Sequence, residues 1–328
     1  MNQEIQKLNK KAEEYSRILE KIEKEISKVI VGQERVVRKF LIGLISNGHI
    51  LIEGVPGLAK TLLVKTLSDT IDADFVRLQF TPDLLPADII GTKIYEHKTG
   101  NFKVMKGPIF SNFILADEIN RAAAKVQSAL LEAMQERQVS IQGETFKIKE
   151  PFMVLATQNP IESEGTYKLP EAQVDRFMFK LLIKYPDIKQ EQEIIKRYTN
   201  NLSISVSKIT SSSKIIEIQK FNQNIYADEK IEKYVSQIVD ATRNPHKYKV
   251  DVDNHIEYGA SPRASLWLIL AAKANAMLNG RGYVKPEDIQ EVAYDVLRHR
   301  IILTYEAEAE DISPDEIIKK VLDKIKVP

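Results

Sequence analysis

The chain has no cysteine, which removes disulfides and thiol chemistry. It has no apolar run approaching the roughly 20 residues of a membrane span. Its N-terminal stretch, MNQEIQKLNKKAEEYSRILE, lacks the apolar centre of a secretion signal. The expectation is a cytoplasmic protein with no membrane partner. Neither sign of charge dominates: Lys+Arg is 47 and Asp+Glu is 46, for a net charge of +1. A nucleic-acid partner is therefore not expected from bulk charge, although local patches are not excluded. The 5 histidines show no metal-ligand spacing. No repeat or low-complexity segment stands out.

What is present is ordinary for a globular protein, with 28% charged and 43% hydrophobic residues. A length of 328 residues supports a sizeable core and two domains. Within residues 1–29, Ile5, Leu8, Ala12, Tyr15, Leu19, Ile22, Ile26 and Val29 alternate spacings of three and four. That is a helical seam. It serves either a partner-binding arm or a helix packed on its own domain, and the packed helix is the simpler reading.

Residues 30–185 alternate apolar runs with helical patterns. Runs at 49–53, 75–79, 112–117, 152–157 and 178–183 read as strands buried on both faces, hence a mostly parallel α/β sheet. Two hairpins interrupt it, at 91–105 around Lys98-Thr99-Gly100-Asn101 and at 138–149 around Gln142-Gly143-Glu144. Residues 186–214 read as a charged helix and then a polar connection ending at Ser211-Ser212-Ser213. Residues 215–328 read as a smaller, mostly helical domain, with helices at 229–242, 262–278, 286–297 and 313–326.

The segment Gly54-Val55-Pro56-Gly57-Leu58-Ala59-Lys60-Thr61 follows a buried strand and opens a helix. Strand, glycine-rich turn, Lys-Thr, helix is the layout of a phosphate-binding loop. Glycines let backbone N–H groups turn toward phosphate oxygens, and the helix N-terminus adds its positive end. Lys60 would reach the terminal phosphates of ATP, and Thr61 would ligate Mg²⁺. Ala59 stands where the simple pattern has glycine, at small cost if that residue is already helical.

A phosphate loop needs a metal ligand and a water activator. The strand Phe113-Ile114-Leu115-Ala116 ends in Asp117-Glu118, which could supply both: Asp117 for Mg²⁺ and Glu118 for the attacking water. The next strand ends in Thr157-Gln158-Asn159-Pro160, where Asn159 could position the water or merely cap a turn. Arg176, in PEAQVDRF, is either a surface ion pair or a finger reaching a neighbour's phosphate. Arg263, in GASPR, opens a helix of the second domain and would face anionic phosphate.

In this order and spacing, GVPGLAKT (54–61), LADEINRA (115–122), ATQNP (156–160), LPEAQVDRF (169–177) and GASPR (259–263) resemble the AAA+ ATPases, specifically the MoxR family. The resemblance covers nearly the whole chain. It implies an αβα nucleotide-binding core followed by a helical lid. It implies that Thr61 and Asp117 serve Mg²⁺, Glu118 is the base, Asn159 the first sensor, Arg176 the trans-acting finger and Arg263 the second sensor. It implies that Val31-Gly32-Gln33 lines the adenine pocket and that residues 54–62, through Leu62, hold the nucleotide. Both hairpins would face a central pore. It also implies a homo-oligomeric ring, typically a hexamer, remodelling or maturing a protein client beside a separate von Willebrand A domain partner. A nucleic-acid motor, with Lys93, Lys98, Lys103 and Lys106 near one hairpin, and a nucleotide-gated scaffold with little turnover are the alternatives.

Overall fold

The computed structural model describes residues 2–55, 57–98, 100–159, 167, 169–199, 204–252 and 254–328. Pro56, Thr99 and Pro160, named above, lie outside the described residues.

The chain opens with α1 (Asn2–Val29) and α2 (Glu34–Ile45). A core follows in the order β1 (Ile50–Glu53), α3 (Lys60–Ile71), β2 (Phe75–Gln79), α4 (Pro86–Ile90), β3 (Gly91–Glu96), β4 (Asn101–Lys106), β5 (Phe113–Asp117), α5 (Ala124–Glu136), β6 (Gln138–Ile141), β7 (Glu144–Lys147), β8 (Met153–Gln158), α6 (Glu171–Val174) and β9 (Phe179–Leu182). Then come α7 (Ile188–Thr199), α8 (Ser212–Gln223), α9 (Glu229–Arg243), β10 (Ile256–Tyr258), α10 (Pro262–Leu278), α11 (Pro286–Leu297), β11 (Ile302–Leu303), α12 (Tyr305–Ala309) and α13 (Pro314–Lys324).

Five parallel strands form the central sheet in the order β2-β5-β8-β1-β9. Their residues alternate between two buried clusters. Ile50, Ile52, Phe113, Leu115, Met153 and Leu155 face one; Leu51, Ile114, Ala116, Val154 and Ala156 face the other. Burial on both faces is why the three central strands β1, β5 and β8 read as apolar runs. The edge strands depart from that expectation, with Arg77 and Gln79 of β2 and Leu182 of β9 exposed because no strand covers their outer side. The hairpins β3–β4 and β6–β7 pair antiparallel, as their turn residues predict.

The seam of α1 packs within the chain. Ala12, Tyr15, Leu19, Ile22, Ile26 and Val29 are buried, and α1 meets α2, α3 and α10. Each large apolar side chain so covered is worth roughly 1.5–3 kcal/mol. Tyr15 also donates its hydroxyl hydrogen to Glu217 on α8 at 2.5 Å. The apolar cluster continues from one sheet face through α1 and α2 into the C-terminal helices.

Two local readings change. The serine run is a helix start, not the end of a loop: Ser211 caps α8 and accepts from the Lys214 N–H. The C-terminal region also holds a short antiparallel pair, β10–β11, too brief to show in the sequence pattern.

Candidate functional site

The sheet order places the ends of β1, β5 and β8 side by side, so residues far apart in sequence converge. Gly54, Gly57, Leu58, Ala59, Lys60, Thr61 and Leu62 share one cavity of about 460 Å³ with Arg77, Asp117, Glu118, Thr157 and Asn159. This brings together most of the anticipated loop, metal and water-activating residues. Val55 packs against the apolar cluster behind the loop.

The loop is tightly turned. Gly57 has φ 86°, and a Cβ there would meet nothing within 4 Å, so its face of the loop is open. A Cβ on Gly54 would sit 3.0 Å from the Ile183 carbonyl. Ala59 corrects an expectation: it is left-handed, with φ 53° and ψ 24°, not helical. As the N-cap of α3 it lies where the loop reverses into the helix, and that reversal sets its sign of φ. Lys60 begins α3 and donates to the Gly54 carbonyl at 2.8 Å. Burial lowers the Lys60 pKa, opposed in part by the Asp117 and Glu118 carboxylates.

Asp117 and Glu118 are held by residues to which the motifs assign no role. Thr157, fully buried on β8, donates its hydroxyl to Asp117 Oδ1 at 2.6 Å and accepts the Glu118 N–H at 2.8 Å. Arg77 reaches Asp117 Oδ2 through two N–H groups at 2.6 and 3.0 Å. Arg77 also donates to Gln79 Oε1 at 3.0 Å, and Gln79 Nε2 donates to Glu118 Oε2 at 2.8 Å. Arg121 pairs with the same Glu118 oxygen at 3.1 Å. Glu118 itself is left-handed, at φ 56° and ψ 51°, a strained conformation of the kind stored at functional sites.

A second, apolar pocket of about 120 Å³ adjoins the loop. Val31, Gln33, Leu58 and Leu62 line it with Pro186, Ile194 and Tyr198. Gln33 donates to the Leu58 carbonyl at 3.3 Å. Gly32, at φ 72°, packs so closely on Gln190 that a Cβ would fall 2.3 Å from its side chain. The α7 contributions do not show in the sequence, where the helix reads as a charged connection; Ile194 and Tyr198 form its inner edge.

Arg176 and Arg263 are not brought to the phosphate loop of their own chain. They line a separate cavity of about 200 Å³ with Arg137, His49 and Trp267. Arg176 donates to the Leu131 carbonyl at 2.9 Å. Arg263 pairs with Asp175 at 2.8 Å, and Asp175 also pairs with the buried Arg300 at 2.7 Å. Two of the hairpin lysines are occupied: Lys93 pairs with Glu144 at 2.7 Å, and Lys106 lies over the Phe110 ring at 4.7 Å. Among the described residues no cluster of three or more histidine, aspartate or glutamate side chains could hold a metal alone. No described helix is long and apolar enough to cross a membrane.

Residues 49–179 match the ATPase family associated with various cellular activities (AAA), and residues 249–321 match the AAA lid domain. The chain is 50% identical over 305 residues to the protein named Chaperone MoxR1 of Mycobacterium tuberculosis, covering 93% of this chain and 81% of that one. It is 31% identical over 327 residues to the protein MoxR of Methylorubrum extorquens, covering 94% of each. A solved structure from Cytophaga hutchinsonii, named as a presumed ATPase, superposes with a TM-score of 0.93 at 53% identity over 99% of both chains. With its parallel sheet, loop cavity and lid, the chain belongs to the MoxR family of AAA+ ATPases.

Proposed function

We propose that the protein is an Mg²⁺-dependent ATPase acting as a ring of identical copies, a hexamer by family resemblance, that remodels a protein client. The observation that carries the reading is the convergence of Lys60, Thr61, Asp117, Glu118 and Asn159 on one cavity while Arg176 and Arg263 sit on another. A loop cavity whose own Arg77 is tied to Asp117, and an arginine pair set apart from the loop of its own chain, fit two halves of one site on adjacent copies.

The donor set fits the groups. The open face at Gly57 and the first-turn N–H groups of α3 suit phosphate oxygens. Lys60 would exchange the Gly54 carbonyl for a phosphate oxygen. Thr61 and Asp117 would hold Mg²⁺, with Asp117 acting through water because Arg77 and Thr157 already occupy its oxygens. Bound there, the metal neutralises charge on the phosphates. Glu118 takes the proton of the attacking water, Asn159 orients that water, and Gln79 and Arg121 fix the carboxylate. The pocket of Val31, Gln33 and Tyr198 takes the adenine.

The exposed Ile94, Tyr95, Phe102 and Met105 on β3–β4 give a client a surface to grip. A client-maturation or metal-cofactor insertion role, a von Willebrand A domain partner and a cytoplasmic setting follow from the family reading. The name of the 50%-identical relative supports a chaperone role. Glu118→Gln tests the chemistry: steady-state hydrolysis should fall on the order of 10²–10⁴-fold while nucleotide binding persists. Hydrolysis near wild type would remove Glu118 as the base.

A further inference from the structure

The cavity holding Arg176 and Arg263 carries more positive charge than a two-arginine site needs. Arg137 also lines it, and no carboxylate among the described residues does. Arg137 and Arg176 bond only backbone carbonyls: Phe152 and Asn47 at 2.6 Å each for Arg137, and Leu131 for Arg176. Neither makes an ion pair with a described residue. Arg263 does, but its partner Asp175 is shared with Arg300, which is buried just behind. Asp175 thus serves two guanidinium groups, and the attraction of Glu150, outside the cavity, offsets the burial of Arg137 only in part. Desolvated charge with so little counter-charge is unfavourable. Burial accordingly pulls the pKa of Arg137 down to about 10. A cavity built this way favours a multiply charged anion.

Arg137 is held for the purpose. It caps the C-terminus of α5 in a left-handed conformation, φ 54°. Its guanidinium lies 5.3 Å over the Phe152 ring and is pinned by two carbonyls. Its own carbonyl accepts the Ile148 N–H at 3.0 Å, closing the base of the β6–β7 hairpin.

We infer that Arg137 is a third cation for the terminal phosphate of a nucleotide bound on a second copy of the chain, beside Arg176 and Arg263. The inference rests on the shared-site reading above. It adds a residue that touches the phosphate with its side chain and carries a hairpin on its backbone, so one group joins nucleotide state to hairpin position.

Subunit mixing tests it. Arg137→Gln chains keep the loop cavity, and Lys60→Ala chains keep the arginine cavity. Each should be inactive alone. A 1:1 mixture should recover up to about a quarter of wild-type turnover, the share of head-to-tail interfaces that pair two intact halves. Arg176→Ala mixed with Lys60→Ala is the control. If the control recovers and Arg137→Gln does not, Arg137 is no part of the shared site. If neither recovers, the shared-site reading itself falls. Full activity of Arg137→Gln alone also overturns the inference.

A binding readout covers a folding defect in that variant. Trp267 is the sole tryptophan and lines the same cavity. In the Glu118→Gln chain, Mg·ATP should change its emission in a manner that depends on protein concentration. Adding Arg137→Lys, which keeps charge but loses the fork, should raise the half-saturating ATP concentration about tenfold, the loss of one charge-assisted hydrogen bond. An unchanged half-saturation would overturn the assignment.

Discussion

Gln79 Nε2 donates to Glu118 Oε2 at 2.8 Å, from the last position of β2, whose register partner is Asp117. The amide has a fixed sense because Arg77 donates to its oxygen at 3.0 Å. The carboxylate assigned to the water is therefore oriented by a neighbouring strand. Gln79→Ala should lower kcat about tenfold with a KM for ATP within about threefold, since a hydrogen bond to a charged group is worth about 1.5–3 kcal/mol. Steady-state hydrolysis checks this; an unchanged kcat would leave Gln79 a passive neighbour.

Thr157 ties the two acidic residues together through one hydroxyl. Thr157→Val keeps the shape but leaves the Glu118 N–H and Asp117 Oδ1 without that partner. The expected cost is about 1–3 kcal/mol of stability together with reduced turnover. Thr157→Ser should recover most of both. Urea unfolding and an ATPase assay on the pair decide it; equal stability of the Val variant would count against the bridge.

Acid should weaken the fold through two histidines. Burial depresses the pKa of both His49 and His299 well below 6.5. His49 accepts the Val154 N–H at Nδ1, at 2.9 Å, which a protonated ring cannot do. Both are neutral when folded, while the unfolded chain takes up protons below about pH 6.5. Their stabilising contribution is thus complete above the unfolded pKa and is lost as pH falls toward the folded values. The two together give a slope of up to about 2.7 kcal/mol per pH unit in that window. Unfolding midpoints between about pH 7.5 and 5.5 test this, and His49→Gln should flatten the slope by about half.

Ala59 is left-handed at the mouth of the loop. A left-handed L residue costs about 1–2 kcal/mol, and glycine gives back about 0.4–1 kcal/mol through the unfolded chain. Ala59→Gly should therefore stabilise by about 0.5–1 kcal/mol. Thermal melting checks the sign; destabilisation would mean that the methyl makes a compensating contact.

What could be read from the sequence was local or periodic. The phosphate loop, Asp117-Glu118 and the seam of α1 are contiguous patterns, and the three central strands are apolar on both faces. What could not be read depends on strand register. Arg77, Gln79 and Thr157 meet Asp117 and Glu118 only because β2, β5 and β8 align in parallel. Tyr198 and Ile194 look like surface residues of a charged helix until α7 folds back toward Val31. Arg137 looks like an ordinary basic helix end; only the approach of α10 makes it part of a cavity. Its one local signal was the helix end abutting the hairpin.

The most direct test is whether one working site needs two copies. Arg176→Ala and Lys60→Ala chains, each inactive alone, would be mixed in increasing ratios and hydrolysis followed. Recovery that rises and then falls with mixing ratio is expected, because one copy supplies the loop cavity and the other the arginines. No recovery at any ratio would contradict a site shared between copies and return Arg176 to a role within its own chain.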